Sequence, residues 1–562
     1  MPPSRPQPRN VTVKALPPPV TPRWLKPVIL ILAAWLLVAC SSSEVADTDT
    51  WWHLKTGQYM LQHHALPVPD PFAFTTYMGK PAYPGEEVTR YFNLTHEWLA
   101  QIFFYLIYAA GGYGGLVLLR AGLITAFCAL IGVAAYHRTN GFYRSLGASL
   151  AAATVACKFV SDRPYLITFL FLAITLVICE YRRWFWVLPP MFLIWANCHG
   201  GFFMGWVVLG VYCGEALVER LRGKAPPDEL RLWAFSLGSI LISGLNPNWF
   251  RVISVMRSYR ASVMQSRLYE WHYPLPWPPT PFSILLVAAL IVLVWARKRT
   301  RPADWLLLAV FGTAANLAVR NIILAAFVGP LLIVAYLPWN RLMPRWAEFL
   351  IAAGLLVGAG AQTVEGQSFQ FRAAEWKFSA GAADFILSHH ITGPLFNTYE
   401  LGGYLIWRLW PEERVFIDGR ALNEAVNEDY RRIAFNADNN GGKSSEELLE
   451  QYGIEVILMD GFEFTSGSPY LLPAALSDPK QTEWKLVYQD AQAVIYMRHP
   501  PPGVQPLNSF DALGAMESQC STYIEHDPGR PNCANGLADL FSRIGDTARA
   551  RKWQALYAQY NQ

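Results

Sequence analysis

Eleven apolar stretches constrain this chain more than anything else in it. They lie near residues 28–44, 115–136, 146–161, 164–181, 185–198, 202–219, 231–246, 281–296, 304–318, 321–338 and 346–361. About 20 apolar residues cross a hydrocarbon core of ~30 Å. The series therefore predicts a polytopic α-helical membrane protein with about 11 transmembrane helices, its boundaries soft where a window is short. Charge supports the count. Arg138 and Arg144, Arg182 and Arg183, Arg220 to Lys224, Arg297 to Arg301, and Arg341 to Arg345 fall between windows. Lys and Arg concentrate in cytoplasmic loops, and eleven spans with the N-terminus inside place all five clusters there. The loop 45–97, the turns near 162, 199 and 250–280, and everything after 362 are then expected outside. Only 16% of the 562 residues are charged, against about 25% in a soluble domain. A net charge of +4 gives no reason to expect a nucleic-acid partner.

Residues 1–26 are rich in Pro and carry Arg5, Arg9, Lys14, Arg23 and Lys26 with no acid. They read as a disordered basic cytoplasmic tail. The first window has two readings. Leu37-Val38-Ala39-Cys40 looks like a bacterial lipobox, with Cys40 lipidated after cleavage. The other reading is an uncleaved helix ending at Ser41-Ser42-Ser43, which preserves the charge parity and is preferred. Both leave Asp47 and Asp49 at the outer surface. Cys128, Cys157, Cys179, Cys198 and Cys213 sit in apolar segments as small hydrophobes. Cys520 and Cys533 lie in a polar region and can pair if that region faces an oxidising compartment.

The stretch 97–111 resists a spanning role, because counting it as a crossing breaks the parity. It reads as an amphipathic helix on the outer interface, within a transmembrane domain over 27–361. The loop 45–97 is too long for a passive connector. After about 370 the pattern changes. Helices are expected at Ala382–His389, Gly402–Leu409 and Glu446–Tyr452. Strands are expected at Pro394–Asn397, Arg414–Asp418, Ile454–Met459, Trp484–Tyr488 and Ala493–Met497. This predicts an extracytoplasmic α/β domain over 370–500. Asn397, Asp418 and Asp460 at strand ends either line a ligand crevice or make turns. Residues 508–562 read as a helical, TPR-like hairpin too short to be stable alone.

Candidate chemistry gathers on the outer side. Asp47-Thr48-Asp49 follows the first span. In an extended segment, residues i and i+2 face the same way. Two converging carboxylates offer a general base, or ligands for a hard divalent cation such as Mg or Mn; a solvated acidic cap is the plain alternative. His53 shares the face of Asp49 if the segment turns helical, and His96 and Glu97 close the same loop. Arg163 at an outer turn runs against the charge rule and requires a partner, either Asp162 or an anionic lipid. His199, in Asn197-Cys198-His199-Gly200-Gly201, and the Arg320-Asn321 pair are further candidates for holding a phosphate. Glu270-Trp271 ends the outer loop 247–280.

These residues, in this order, resemble the GT-C superfamily of polyprenyl-phosphate-sugar-dependent membrane glycosyltransferases, which includes protein mannosyltransferases and lipid A aminoarabinose transferases. A first span is followed by an acidic pair, an interfacial helix entered through His96-Glu97-Trp98, Gly112-Tyr113-Gly114, and then Arg120 in the second span. The Asp-Thr-Asp-Thr-Trp-Trp-His-Leu, Trp-Ala-Asn-Cys-His-Gly-Gly and Arg-Asn-Ile blocks also look like those of a set of uncharacterised bacterial membrane proteins of this type. The acidic pair is Asp-x-Asp where relatives have adjacent acids, and Pro is missing after His96 where many have His-Pro-Pro. The resemblance implies an enzyme of the bacterial inner membrane that moves a hexosyl or pentosyl group from a lipid-linked donor. The acceptor would be a glycan, lipid or protein, and an acid of the pair, Asp49 before Asp47, would be the general base. Two other classes compete: a non-enzymatic envelope scaffold, and a transporter. A transporter should show repeated halves and breaks in mid-span, and no internal repeat is found.

Overall fold

The computed structural model describes residues 22–338, 343–437, 442–478, 480–507 and 511–561. Residues 1–21, most of the expected basic tail, and Arg341 lie outside them. The chain begins with α1 (Leu25–Cys40), α2 (Thr50–His63), α3 (Glu86–Thr95) and α4 (Trp98–Thr139). Then come α5 (Phe142–Ala156), α6 (Tyr165–Tyr181), α7 (Leu188–Cys198), α8 (Phe203–Leu221) and α9 (Glu229–Ile242). Two short helices, α10 (Val252–Ser258) and α11 (Val263–Arg267), precede α12 (Pro281–Trp295), α13 (Pro302–Ala315), α14 (Ile323–Tyr336) and α15 (Arg345–Val364).

Each of the eleven apolar windows is helical. Four stretches, Glu86–Thr139, Gly200–Leu221, Val319–Tyr336 and Arg345–Val364, are long and apolar enough to cross a membrane. Leu25–Cys40, Tyr165–Tyr181, Phe185–Cys198, Pro281–Trp295 and Pro302–Ala315 are shorter apolar helices, while α5 and α9 fall in neither group. Pro281 and Pro302 open their helices at the first turn, where a missing N–H costs nothing. Helices α4 to α8 and α12 to α14 bury one continuous apolar core. The outward faces of α9, α12 and α15 are apolar too, with Leu237, Leu241, Val287, Ile291, Leu350 and Val357 exposed. A helix apolar all round belongs in a lipid environment. The expected interfacial helix runs on into the second window as α4, and its one non-helical residue is Gly112, at φ 57°. Positive φ is open to Gly at little cost, so the turn between the two segments is placed there.

At the end of the bundle away from Asp47, a buried ionic knot ties helices together. Arg138 donates to Glu180 and pairs with Asp304 at 2.7 Å, Arg301 donates to Glu180 at 2.8 Å, and Tyr212 and Tyr336 donate to Glu180 and Asp304.

The loop 45–97 is not irregular. It contains α2 and α3, whose mixed polar sequences gave no apolar window. Beyond α15 the chain forms α16 (Ala380–Ser388), β1 (Leu395–Asn397), α17 (Tyr399–Leu409), α18 (Glu424–Ala434), α19 (Ser445–Gln451), β2 (Val456–Met459), α20 (Leu472–Leu476), β3 (Lys485–Gln489) and β4 (Val494–Met497). The sheet order is β1-β2-β4-β3, with β1 parallel to β2 and the other pairs antiparallel. The expected strand at 414–418 is not part of it. Val415 instead makes a single parallel bridge to Ala73, and its N–H donates to the Phe72 carbonyl. The segment thus ties the first long loop to the α/β layer. Helices α21 (Ala512–His526), α22 (Asn532–Arg543) and α23 (Thr547–Tyr560) close the chain, with Cys520 and Cys533 joined in a disulfide of 1.98 Å.

Candidate functional site

The acidic loop is fixed at its root by Arg120. This side chain, 1% exposed, donates from Nε to the Ser41 carbonyl at 3.0 Å and from Nη1 to the Val160 carbonyl at 2.9 Å. It also donates to the Ser43 carbonyl and pairs with Asp162 at 2.7 Å. Asp162 is therefore the partner of Arg120 and not of Arg163, which corrects one expectation. The buried guanidinium needs a full set of acceptors, and the carbonyls after α1 supply them together with Val160 and Asp162 from the turn before α6.

The Asp47 carboxylate accepts the Asp49 N–H at 2.8 Å. This is an Asx turn, and Asp49 then precedes the first turn of α2. A turn, where the sequence suggested an extended segment, brings both acids to one side. Both bind Arg163: Nε lies 2.9 Å from Asp47 and Nη1 lies 2.9 Å from Asp49. Nη1 is also 3.9 Å from Glu270, whose other oxygen accepts from Arg320 at 3.1 Å. Among the described residues, Nη2 of Arg163 has no partner. The Arg320 guanidinium stacks over Trp271, 4.8 Å from the ring centre. Asp47, Asp49, Arg163, Glu270 and Arg320 thus form one array.

The two acids differ in their titration. Burial raises the Asp47 carboxyl, but the Arg163 charge and hydrogen bonds outweigh it and hold Asp47 at about 2. Burial also raises Asp49; Arg163 opposes this, the Asp47 charge adds to it, and Asp49 stands at about 7. A carboxyl in that range both accepts and releases protons near neutrality.

A second group adjoins the first. Glu97 lies 3.3 Å from His96, 3.7 Å from His53 and 3.8 Å from His199. Burial raises its carboxyl, yet the three histidines hold it well below the usual carboxylate range. Nδ1 of His199 accepts the Gly201 N–H at 3.0 Å, so its proton sits on Nε2, toward Glu97. Burial lowers His199 to about 3 and His53 to about 4; both rings are neutral at pH 7. His96 Nδ1 lies 2.8 Å from the Phe92 carbonyl, which only accepts, so that nitrogen carries hydrogen. A methyl on Gly201 would press on Thr168 and His199.

Asn321 does not join either group. Its amide donates to the Ala314 carbonyl at 3.1 Å and closes its own turn. Asn397 and Asp418 are likewise internal ties. Asn397 accepts the Phe416 N–H and donates to the Ile417 carbonyl. Asp418 and Asp70 together hold the buried Arg420, each at 2.7 Å.

The α/β layer supplies the wall that sequence reasoning missed. The turn Asp418-Gly419-Arg420 abuts the acidic loop so closely that a methyl on Gly419 would overlap Asp49 Oδ1, and one on Gly403 would overlap the Thr48 carbonyl. Tyr399 donates to the Gly419 carbonyl at 3.3 Å. The signal was the Asp-Gly dipeptide, which fits a turn equally well. Gly419 does not have positive φ, so Gly419→Ala acts by contact alone. It is expected to push the Asp49 carboxyl off Arg163 and to lower about 10- to 100-fold any activity that depends on that carboxyl, which a structure of the variant and steady-state kinetics check.

The two carboxylates offered for a divalent cation both bind the Arg163 guanidinium. Among the described residues, no group of three or more His, Cys, Asp or Glu is arranged to hold a metal ion. This donor set does not fit a divalent cation.

No protein-family profile matches the chain, and no curated protein matches it. Among solved structures, it is similar to the apo crystal structure of ArnT from Cupriavidus metallidurans. The identity is 12%, the TM-score is 0.44, and the match covers 85% of this chain and 98% of that one. A likeness at this level carries no argument about activity.

Proposed function

We propose that this protein is a membrane glycosyltransferase of the GT-C type, which moves a sugar from a polyprenyl-phosphate donor to an acceptor hydroxyl. The observation that carries this reading is the pairing of a buried, near-neutral carboxyl with a guanidinium that keeps one open edge. Asp49 takes the proton of the acceptor hydroxyl. The acceptor oxygen attacks the anomeric carbon, the carbon–oxygen bond to the lipid phosphate breaks, and the electron pair leaves with the phosphate. Attack opposite the leaving group inverts the anomeric centre. Arg163, through Nη2, and Arg320 receive the departing phosphate, as guanidinium groups suit phosphate oxygens. Asp47 keeps Arg163 in place, and Glu270 links it to Arg320.

Glu97, with its neutral neighbours His53 and His199, is anionic. In this reading the group lies beside the sugar and orients hydroxyls, and the phosphate falls to the arginines. No step runs through a metal ion. The Cys520–Cys533 disulfide favours an oxidising compartment, in keeping with a C-terminal region and a site on the extracytoplasmic side of the bacterial inner membrane. The N-terminus is then cytoplasmic.

The test is transfer in proteoliposomes supplied with a panel of polyprenyl-phosphate hexoses and pentoses and a bacterial lipid and glycan extract as acceptor. A glycosylated product of inverted configuration, formed from at least one donor, is expected. Consumption of no donor across the panel overturns the reading.

A further inference from the structure

The segment after α9 breaks the charge rule more strongly than Arg163 does. Residues 243–269 carry Arg251, Arg257, Arg260 and Arg267 and no Asp or Glu. They lie at the site end of the bundle: Tyr259 donates to Asn93 at 2.5 Å, and Asn93 in turn donates to the Arg420 carbonyl. Arg267 is answered from the α/β layer by Glu428 at 2.6 Å. Arg251, Arg257 and Arg260 are exposed, and among the described residues none of them has an ion pair. Basic residues are depleted from short loops on the extracytoplasmic side, so three of them unpaired in one short stretch call for a counter-charge from elsewhere.

The apolar residues between them say where that charge lies. Helix α10 buries Val252 and Val255 against α3. Its outer face shows Ile253 and Met256, and Trp249 and Phe250 precede it, at 65% and 42% exposed. This patch continues the outward apolar face of α9 through Leu241 and Leu245, both exposed. Alternating Trp, Phe and Arg along a surface contiguous with the exposed apolar face of α9 is the composition of the bilayer interface, where rings sit at headgroup level and basic side chains reach the phosphates.

We propose that Leu245–Arg260 is a lipid-docking surface: Trp249, Phe250, Ile253 and Met256 lie in the interfacial layer, and Arg251, Arg257 and Arg260 bind net-anionic, phosphate-bearing headgroups of that leaflet. The occupant is a bilayer lipid, because the apolar half of the patch has no role toward a soluble anion. The surface does not depend on the transfer chemistry. It leads through the same loop to Glu270 and Trp271, and so fixes the rim of the site relative to the headgroups.

The experiment places a photoactivatable benzophenone amino acid at Met256 in the full-length protein. The protein is reconstituted in vesicles of equal parts phosphatidylcholine and phosphatidylglycerol, and the lipid adducts of that peptide are quantified by mass spectrometry. Phosphatidylglycerol is expected to exceed phosphatidylcholine among the adducts by about tenfold. The excess should vanish in Arg251→Gln/Arg257→Gln/Arg260→Gln and persist in the corresponding triple Lys variant, which keeps the charge. Inorganic phosphate in large excess should leave it unchanged. Absence of lipid adducts, an undiminished excess in the triple Gln variant, or its loss to inorganic phosphate alone overturns the proposal.

Discussion

Asp49→Asn is expected to lower transfer by about 10²- to 10⁴-fold, the contribution of a positioned general base, while the protein folds normally. Asn has the same shape, and its carbonyl still accepts from Arg163, so the contact at 2.9 Å survives. What is lost is the capacity to take a proton. Asp47→Asn should behave differently. The Asp47 charge contributes to the raised titration of Asp49, and Asp47 shares Arg163 with it. Removing that charge lowers the Asp49 titration and lets Arg163 close on Asp49 alone. Activity then falls less at neutral pH than in Asp49→Asn, and its pH dependence moves to lower pH. Product formation in proteoliposomes, with size-exclusion profiles as a folding control, separates the two variants. Transfer by Asp49→Asn within threefold of the wild type would remove Asp49 from the chemistry.

Arg120→Met carries the largest expected effect on stability. It strands the buried Asp162 carboxylate and leaves the Ser41, Ser43 and Val160 carbonyls without their donor. Breaking a buried pair by removing one partner costs about 3–5 kcal/mol. The loss also unfastens the root of the acidic loop, so activity should fall along with the unfolding midpoint in detergent. Arg120→Met/Asp162→Asn, which removes both charges, should recover part of the stability, since a buried pair replaced as a pair costs far less than one broken in half. A single variant as stable as the wild type would mean that the loop is anchored elsewhere.

Much of this architecture is legible in the sequence for a simple reason. Apolar windows in a membrane chain announce helices by length and composition, and every one of the eleven is helical. The residues at one end of these helices, Asp47, Asp49, Arg163, His199 and Arg320, are brought together because alternate helix ends must meet on one side. What local pattern cannot supply is the choice of partner. Asp162 and Arg163 are adjacent in sequence, yet each points to a different element, one to Arg120 and the other to Asp47 and Asp49. Helices α2 and α3 escape notice because their buried residues include Thr50, His53, Thr56 and Thr89, which give no apolar run. The stretch 414–418 has the composition of a strand, but its edge is taken by Phe72 and Phe74. The contact of Gly419 with Asp49 spans most of the chain, and nothing near either residue encodes it. Asn321 looked available beside Arg320, but an amide at a helix entrance is readily consumed by its own turn.

The titration of Asp49 offers the most direct test of the central claim. Asp49 must be ionised to accept the acceptor proton, and burial together with the Asp47 charge sets it at about 7. Below that pH the carboxyl is protonated and the base is lost. The single-turnover rate with a saturating lipid-linked donor should therefore fall about tenfold per pH unit below 7 and level off above it, and Asp47→Asn should shift the limb to lower pH. A flat profile between pH 5.5 and 8.5, or a limb that persists unchanged in Asp49→Asn, would contradict the assignment of Asp49 as the general base.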